Sequence, residues 1–287
     1  MYIKELFKQK TVFSFEVFPP KKTSPIDVIY DTLAELRDLS PDFISVTFSA
    51  GGSGNGGYAC DVAQKIKEYG IIPMIHLPCI NYTKQEIDST VDEIKKRGIE
   101  NILALRGDIN PDIPPKNDFS HASDLITYLR EKGSFDIGGA CYPEGHPDSD
   151  SLDDDIENLK RKVDAGADHL ITQLFFDNDL FYNFRDKAAA AGINVPIEAG
   201  IMPVVNKNQI ERMVTTCGAS LPHKFVKIMQ KYEHSPEALV DAGIAYAIDQ
   251  IVDLAASGAD GIHLYTMNKP YVARRISDAV SGIIGSK

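Results

Sequence analysis

The sequence predicts an α/β fold, a closed barrel of eight βα units. Three observations carry this. Short apolar runs alternate with amphipathic helical stretches over 287 residues, and no linker divides the chain. The runs are apolar on both faces, as in a parallel sheet covered by helices. Eight such units, with roughly 250 residues as the usual size of a (βα)8 barrel, fit the length. A doubly wound open sheet is the competing arrangement of the same alternation.

The strands are expected at about 11–18 (TVFSFEVF), 43–48, 72–77, 101–106, 136–142, 168–174, 196–201 and 260–265. Pro19 and Pro20 end the first strand, and a helix is expected from about 25, with Ser24 as cap and Pro25 in the first turn. Helices follow near 58–69 and after Thr83, where Thr83 to Glu86 spells a capping box and Ile87, Val91 and Ile94 form one apolar stripe before Gly98. The next lie near 120–132 and after Ser151, with Leu152, Ile156, Leu159 and Val163 in line and Gly166 as the stop. Stretches near 178–191, 206–216 and 271–283 complete the set, and an extra helical segment over about 235–256 precedes the eighth strand.

Composition narrows the function. Lys plus Arg (30) against Asp plus Glu (41) gives a net charge of −11, which argues against a nucleic-acid surface. No apolar run approaches the ~18 residues of a membrane span, and the first residues hold no apolar signal core. Cys60, Cys79, Cys141 and Cys217 stand far apart without a CxxC pair, as in a reducing cytosol, so a cytoplasmic location is expected.

Barrel chemistry sits at the C-terminal ends of the strands. Glu16 lies there among Phe15, Val17 and Phe18, so its carboxyl is expected in desolvating apolar surroundings that favour the neutral acid. The alternative is a Glu paired with a buried arginine. Thr47, His76, Arg106-Gly107-Asp108, Tyr142, His146, Gln173 and the run Tyr265 to Lys269 supply the other polar ends. Gly52, Gly54 and Gly57 match G-x-G-x-x-G, but no acid follows the next strand as a dinucleotide site needs, so a rim loop is expected. A metal-dependent lyase would need clustered ligands, and a Schiff-base lyase a strand lysine. Neither is found. A scaffold or an adhesion role for Arg106-Gly107-Asp108 would leave the polar rim unused. The set suits a planar heterocycle with phosphates and one buried proton donor.

These residues resemble the catalytic barrel of the methylenetetrahydrofolate reductase family. The likeness runs from Phe13-Ser14-Phe15-Glu16-Val17-Phe18-Pro19-Pro20 through Ala104-Leu105-Arg106-Gly107-Asp108, Tyr142-Pro143-Glu144, Leu159 to Ala167 and Ile171-Thr172-Gln173 to Tyr265-Thr266-Met267-Asn268. It implies a single catalytic TIM barrel over 1–287 without a regulatory domain, with bound FAD, NADH or NADPH as hydride donor, folate as substrate and a homo-oligomeric state. It implies that Glu16 is the general acid and Asp108 the carboxylate near flavin and pterin. Thr47, His76, Arg106, Gly107, Asp108, His121, Ala122, Tyr142, His146, Asp155, Asn158, Arg161 and Lys162 correspond to FAD contacts. Asp108, Gln173, Gln209 and Lys269 correspond to folate or nicotinamide contacts, and no metal is implied. Lys269 stands where bacterial members carry Arg, and Met213 where an aromatic would stack. The implied reaction is a two-step hydride relay that yields 5-methyltetrahydrofolate, with Glu16 protonating the bridging nitrogen and Asp108 stabilising the cation that opens.

Overall fold

The computed structural model describes residues 1–20, 24–48, 57–109, 114–206, 208–209 and 217–285. Eight parallel strands close into one barrel in chain order: β1 Val12–Val17, β2 Phe43–Val46, β3 Ile72–Pro78, β4 Asn101–Leu105, β5 Asp136–Cys141, β6 His169–Thr172, β7 Ile197–Ile201 and β8 Gly261–Tyr265. Every expected strand is present, with its bounds moved by at most two residues. Val12 to Glu16 of β1 pair with Gly261 to Tyr265 of β8, which excludes the open sheet. This is the TIM-barrel architecture.

The helices are α1 Lys4–Phe7, α2 Asp27–Arg37, α3 Gly57–Glu68, α4 Lys84–Lys96, α5 Ala122–Lys132, α6 Leu152–Asp164, α7 Asn178–Ala190, α8 His223–Tyr232, α9 Pro236–Ala256 and α10 Pro270–Ile284. The capping box at Thr83 forms in both directions, because Glu86 N–H donates to Thr83 Oγ1 and Thr83 N–H to Glu86 Oε2. Ile87, Val91 and Ile94 are fully buried beneath it, each contributing about 1.5–3 kcal/mol by leaving water. Ser151 caps α6 by accepting from Asp154 N–H. Ser24 does not cap α2: that helix starts two residues past Pro25, with Ile26 at its N-cap, and Ile29 N–H closes a tight first turn on Ile26 O. Helix α8 was not expected from the pattern. The Gly-rich run 51–56 and most of the helix expected at 206–216, Met213 included, lie outside the described residues.

The outward faces of the strands form one core with the helices, and the barrel interior forms another around Val12, Phe43, Met74, Leu103 and Ile171. The first residues seal the bottom of that interior. Ile3 is fully buried there, its N–H donates to Asn101 Oδ1, and Lys4 N–H donates to Asp136 Oδ2 at 2.7 Å. Lys4 and Arg130 both pair with Asp168 on the same side. Among the described residues, the end left open is the opposite one.

Helix α9 packs across the β7 end of the barrel through Gly243. A glycine inside a helix costs about 1 kcal/mol relative to alanine, yet a Cβ at 243 would fall 1.7 Å from Val204 O, a backbone atom. Close approach therefore outweighs propensity here. Gly243→Ala is expected to lower stability by about 1–3 kcal/mol, as overpacking does, where an exposed helical position would gain about 1. Urea denaturation followed by circular dichroism measures the sign, and a stabilised variant would contradict the packing.

Candidate active site

The open end holds a cavity of about 640 Å³. Glu16, Thr47 and His76 line it from the first three strands or their ends, followed by Arg106, Gly107 and Asp108 after β4. His121 and Ala122 reach it from the start of α5, Tyr142 and His146 from beyond β5, and Gln173 from beyond β6. Asp155, Asn158, Arg161 and Lys162 line it from one face of α6, as positions three and four apart on a helix can. Gln209 and Lys269 are not in the lining. Gln209 Oε1 accepts from Val205 N–H, and Lys269 is exposed at the N-cap of α10.

Glu16 is not surrounded by apolar groups. Phe15 and Val17 point outward into the helix layer and are fully buried there, because side chains alternate along a strand. The inward neighbours of Glu16 come from other strands. Its Oε2 lies 3.5 Å from His76 Nε2 and 3.6 Å from His263 Nε2. Its backbone carbonyl accepts from Thr266 Oγ1 at 2.6 Å. The carboxyl thus stands at the cavity floor between two imidazoles, with no buried arginine beside it among the described residues.

One wall is cationic and partly buried. Lys162 Nζ donates to Ala140 O at 2.6 Å and lies 5.9 Å from the Tyr142 ring centre. Burial pulls its pKa down, opposed by Cys141 and Asp155. Asp155 is buried and pushed up by desolvation, with Ser149 Oγ donating to it. Arg106 donates to Asp148 Oδ2 at 2.9 Å. His146 sits edge-on to Tyr142, with ring centres 4.7 Å apart, and its Nδ1 accepts from Asp148 N–H. Burial, then the nearby Arg106 charge, keep the His146 pKa low. Burial pushes Tyr142 up to about 12. Gly107 holds φ at +86°, and a Cβ there would meet Pro78 Cβ at 2.9 Å, so the turn that presents Asp108 needs glycine.

On the far wall, Tyr265 O–H donates to Thr172 O at 2.7 Å, and Gln173 Oε1 accepts from Leu174 N–H. That leaves the Gln173 amide nitrogen as the donor for a ligand. Asn81, Tyr82, Asp148 and Tyr265 also line the cavity, and the sequence reading gave none of them a role. Asn81, Tyr82 and Asp148 sit in irregular segments where no periodicity marks a facing direction. Tyr265 was visible as a strand end.

Burial lowers the His76 pKa from 6.5 to about 4, against the pull of Glu16. The folded imidazole is therefore neutral near pH 7. Between those two values the unfolded state binds more protons, so stability falls as pH falls through that window. A shift of this size corresponds to about 3 kcal/mol. His76→Gln is expected to remove that part of the acid sensitivity, read as the difference between variant and parent denaturation midpoints from pH 7 to pH 4. A constant difference across the range would contradict it.

The comparisons with known proteins agree with this geometry. A family model described as methylenetetrahydrofolate reductase matches residues 2–281. The chain is 36% identical over 257 residues to the 5,10-methylenetetrahydrofolate reductase of Escherichia coli K12, covering 89% of this chain and 86% of that one. It is 35% identical over 288 residues to methylenetetrahydrofolate reductase (NADH) 1 of Arabidopsis thaliana, and spans 48% of that longer protein. Among solved structures, a Clostridium thermocellum protein described as binding two copies of 5-methyl-5,6,7,8-tetrahydrofolic acid aligns over 98% of both chains, with TM-score 0.71 at 16% identity. Mycobacterium tuberculosis tryptophan synthase aligns with TM-score 0.57 at 11% identity. These two likenesses show a shared fold. The family match over nearly the whole chain and the bacterial relative show that this oxidoreductase belongs to the methylenetetrahydrofolate reductase family.

Proposed function

We propose that the chain reduces 5,10-methylenetetrahydrofolate to 5-methyltetrahydrofolate with bound FAD and a nicotinamide donor, NADH or NADPH. The observation that carries this reading is Glu16, a proton donor at the floor of a cavity whose walls suit a flavin nucleotide and a pterin. The lining fits FAD on two grounds. Asn81 Oδ1 and His76 Nε2 are buried without hydrogen-bond partners, and such groups are rare unless something else satisfies them. The cations of Arg106, Arg161 and Lys162 gather on one wall of a chain whose net charge is −11, where a pyrophosphate needs them. The C. thermocellum barrel is described as binding the product named here.

Bound FAD would supply the hydride chemistry that links the nicotinamide donor to the one-carbon group of the folate. The chain orients the reactants and handles the proton. Glu16 holds a proton for the bridging nitrogen of the folate and releases it as the five-membered ring opens. Asp108, presented by the Gly107 turn, offsets the positive charge that develops. Gln173 offers its free amide N–H to the pterin edge. Tyr142 with His146 and Thr47 pack the flavin, and His121 and Ala122 border it at the start of α5. Asp155, Asn158, Arg161 and Lys162 hold its ribose and phosphates. Gln209 and Lys269, outside the lining, serve the folate tail or the donor. The reaction is assigned to the cytoplasm, which suits four cysteines spaced far apart without a CxxC pair, and to a homo-oligomer.

Reduction of the flavin is direct hydride transfer and needs no protein acid, whereas ring opening does. Glu16→Gln is therefore expected to reduce its flavin at the parent rate and to lose at least about 100-fold in the folate half-reaction, about 3 kcal/mol of barrier. Stopped-flow flavin absorbance follows each half separately. Equal slowing of both halves would make Glu16 a flavin-positioning residue, and slowing of neither would remove the acid from the mechanism.

Loss of both charges in Arg161→Ala with Lys162→Met is expected to weaken FAD retention about tenfold at low salt. The gap from the parent should narrow as salt rises, since screening removes the same term. Flavin fluorescence titration at two ionic strengths measures it. Unchanged affinity at both would reject the placement of the phosphates.

A further inference from the structure

The reading above uses Glu16 and leaves a second carboxyl in the barrel interior without a task. Glu198 of β7 is fully buried. Its Oε1 lies 2.5 Å from Ser14 Oγ, and its Oε2 has no hydrogen-bond partner. Gly261 on the neighbouring strand leaves the space it occupies, since a Cβ there would come within 2.6 Å of Glu198 Cγ. Ser14 Oγ also lies 2.6 Å from His263 Nδ1. The other ring nitrogen of His263 stands 3.3 Å from Ser45 Oγ and 3.6 Å from Glu16 Oε2. The ring is itself held, stacked on Phe43 with centres 5.9 Å apart and edge-on to Tyr265 at 5.4 Å. Glu198, Ser14 and His263 thus form a hydrogen-bonded file whose far end, Nε2, faces Ser45 Oγ and, slightly farther away, the Glu16 carboxyl at the cavity floor.

The Ser14 hydroxyl has one hydrogen and two neighbours that compete for it. An ionised Glu198 would take that hydrogen, and Ser14 would then have to accept from Nδ1–H, leaving Nε2 bare towards Glu16. A neutral Glu198 donates to Ser14 instead, Ser14 donates to Nδ1, and the imidazole carries its hydrogen on Nε2. Burial decides between them. Among the described residues no lysine or arginine acts on Glu198; the ionisable groups acting on it are His263, His169 and Asp42, and desolvation, the largest effect, favours its neutral form. A charge buried with an unpartnered oxygen costs far more than a neutral carbonyl in the same place. Around Glu16 the corresponding groups are His76, His263 and Tyr265.

We infer that Glu198 is a positioning residue for Glu16: through Ser14 it fixes His263 as the Nε2–H tautomer, so that the ring presents a donor rather than a bare nitrogen to Ser45 Oγ and the Oε2 side of Glu16, leaving Oε1 to carry the proton given to the substrate. The inference rests on the reading of Glu16 as the acid, but its first test does not. Nitrogen-15 NMR of the purified histidine-labelled protein, as isolated, reads the His263 tautomer directly. The parent is expected to hold hydrogen on Nε2 with Nδ1 bare. Glu198→Gln keeps a donor to Ser14 and should retain that tautomer. Glu198→Leu should give a mixture, and Ser14→Ala, which keeps the carboxyl but breaks the file, should do the same if the leucine variant fails to fold. Hydrogen on Nδ1 in the parent, or an unmixed Nε2–H signal in both Glu198→Leu and Ser14→Ala, would overturn the assignment. In stopped flow, the folded broken-file variant should slow the folate half-reaction about tenfold with flavin reduction unchanged, and slowing of both halves would overturn the positioning role. If Glu16→Gln leaves the folate half-reaction intact, the acid reading fails on its own, while the NMR result still stands or falls separately.

Discussion

The pairing of β8 with β1 is the constraint on which the site depends. Glu16 belongs to the first strand, and of the groups around it His263 and Thr266 come from the last strand and its end, and His76 from the third. Thr266 Oγ1 donates to Glu16 O at 2.6 Å. Asn268 grips Phe18 twice, accepting from its N–H at 3.1 Å and donating to its carbonyl at 2.8 Å. To make these contacts, Met267 and Asn268 adopt φ of 52° and 53°, a left-handed conformation costing roughly 1–2 kcal/mol for a residue such as Met. Three hydrogen bonds worth about 1 kcal/mol each offset that cost. The run Tyr265 to Asn268 is therefore a clasp at the cavity rim as well as a strand end.

Most barrels of this kind fill their interior with branched apolar side chains. Here Phe43, Met74, Leu103 and Ile171 share it with Ser14, Ser45, Asp136, His169, Glu198 and His263, all essentially buried. His169 Nδ1 lies 3.2 Å from Asp136 Oδ1. Ser14, Ser45 and His263 find partners there, whereas Asp136 Oδ1, Glu198 Oε2 and both ring nitrogens of His169 make no hydrogen bond, a burial that costs free energy. The short helix α1 and its ties to Asn101 and Asp136 keep the bottom closed.

Much of this was legible in the sequence. Strands covered on both faces leave unbroken apolar runs, so all eight could be placed, and the polar ends that line the cavity follow from the strand bounds. What the sequence conceals is what lies across a strand boundary. Phe15 and Val17 flank Glu16 in the chain but face the other way, so the apolar setting expected for Glu16 belongs to its neighbours. Of its true surroundings, His76 lies two strands along the sheet and His263 on the strand that barrel closure brings alongside. The same holds for Glu198, Ser14 and His263, from three strands with nothing in common in the chain. Ser24 resembled a cap by residue type, but the backbone enters α2 through Ile26 in a helical conformation. Lys269 and Gln209 were assigned through the family resemblance, and both sit outside the cavity lining.

The clasp has a further consequence for how the chain is made. The hydroxyl of Thr266 and the carbonyl it binds are 250 residues apart, and joining the ends of so long a loop costs about 5 kcal/mol of entropy. During synthesis at roughly 5–20 residues per second, β1 must wait for on the order of tens of seconds before its partner leaves the ribosome. For that time Val12–Val17 is an apolar strand with one open edge, the kind that pairs with another chain. Of all the strands, the one that carries Glu16 spends longest exposed to misassembly, so the yield of folded protein should be set by how well the nascent chain is shielded before β8 arrives.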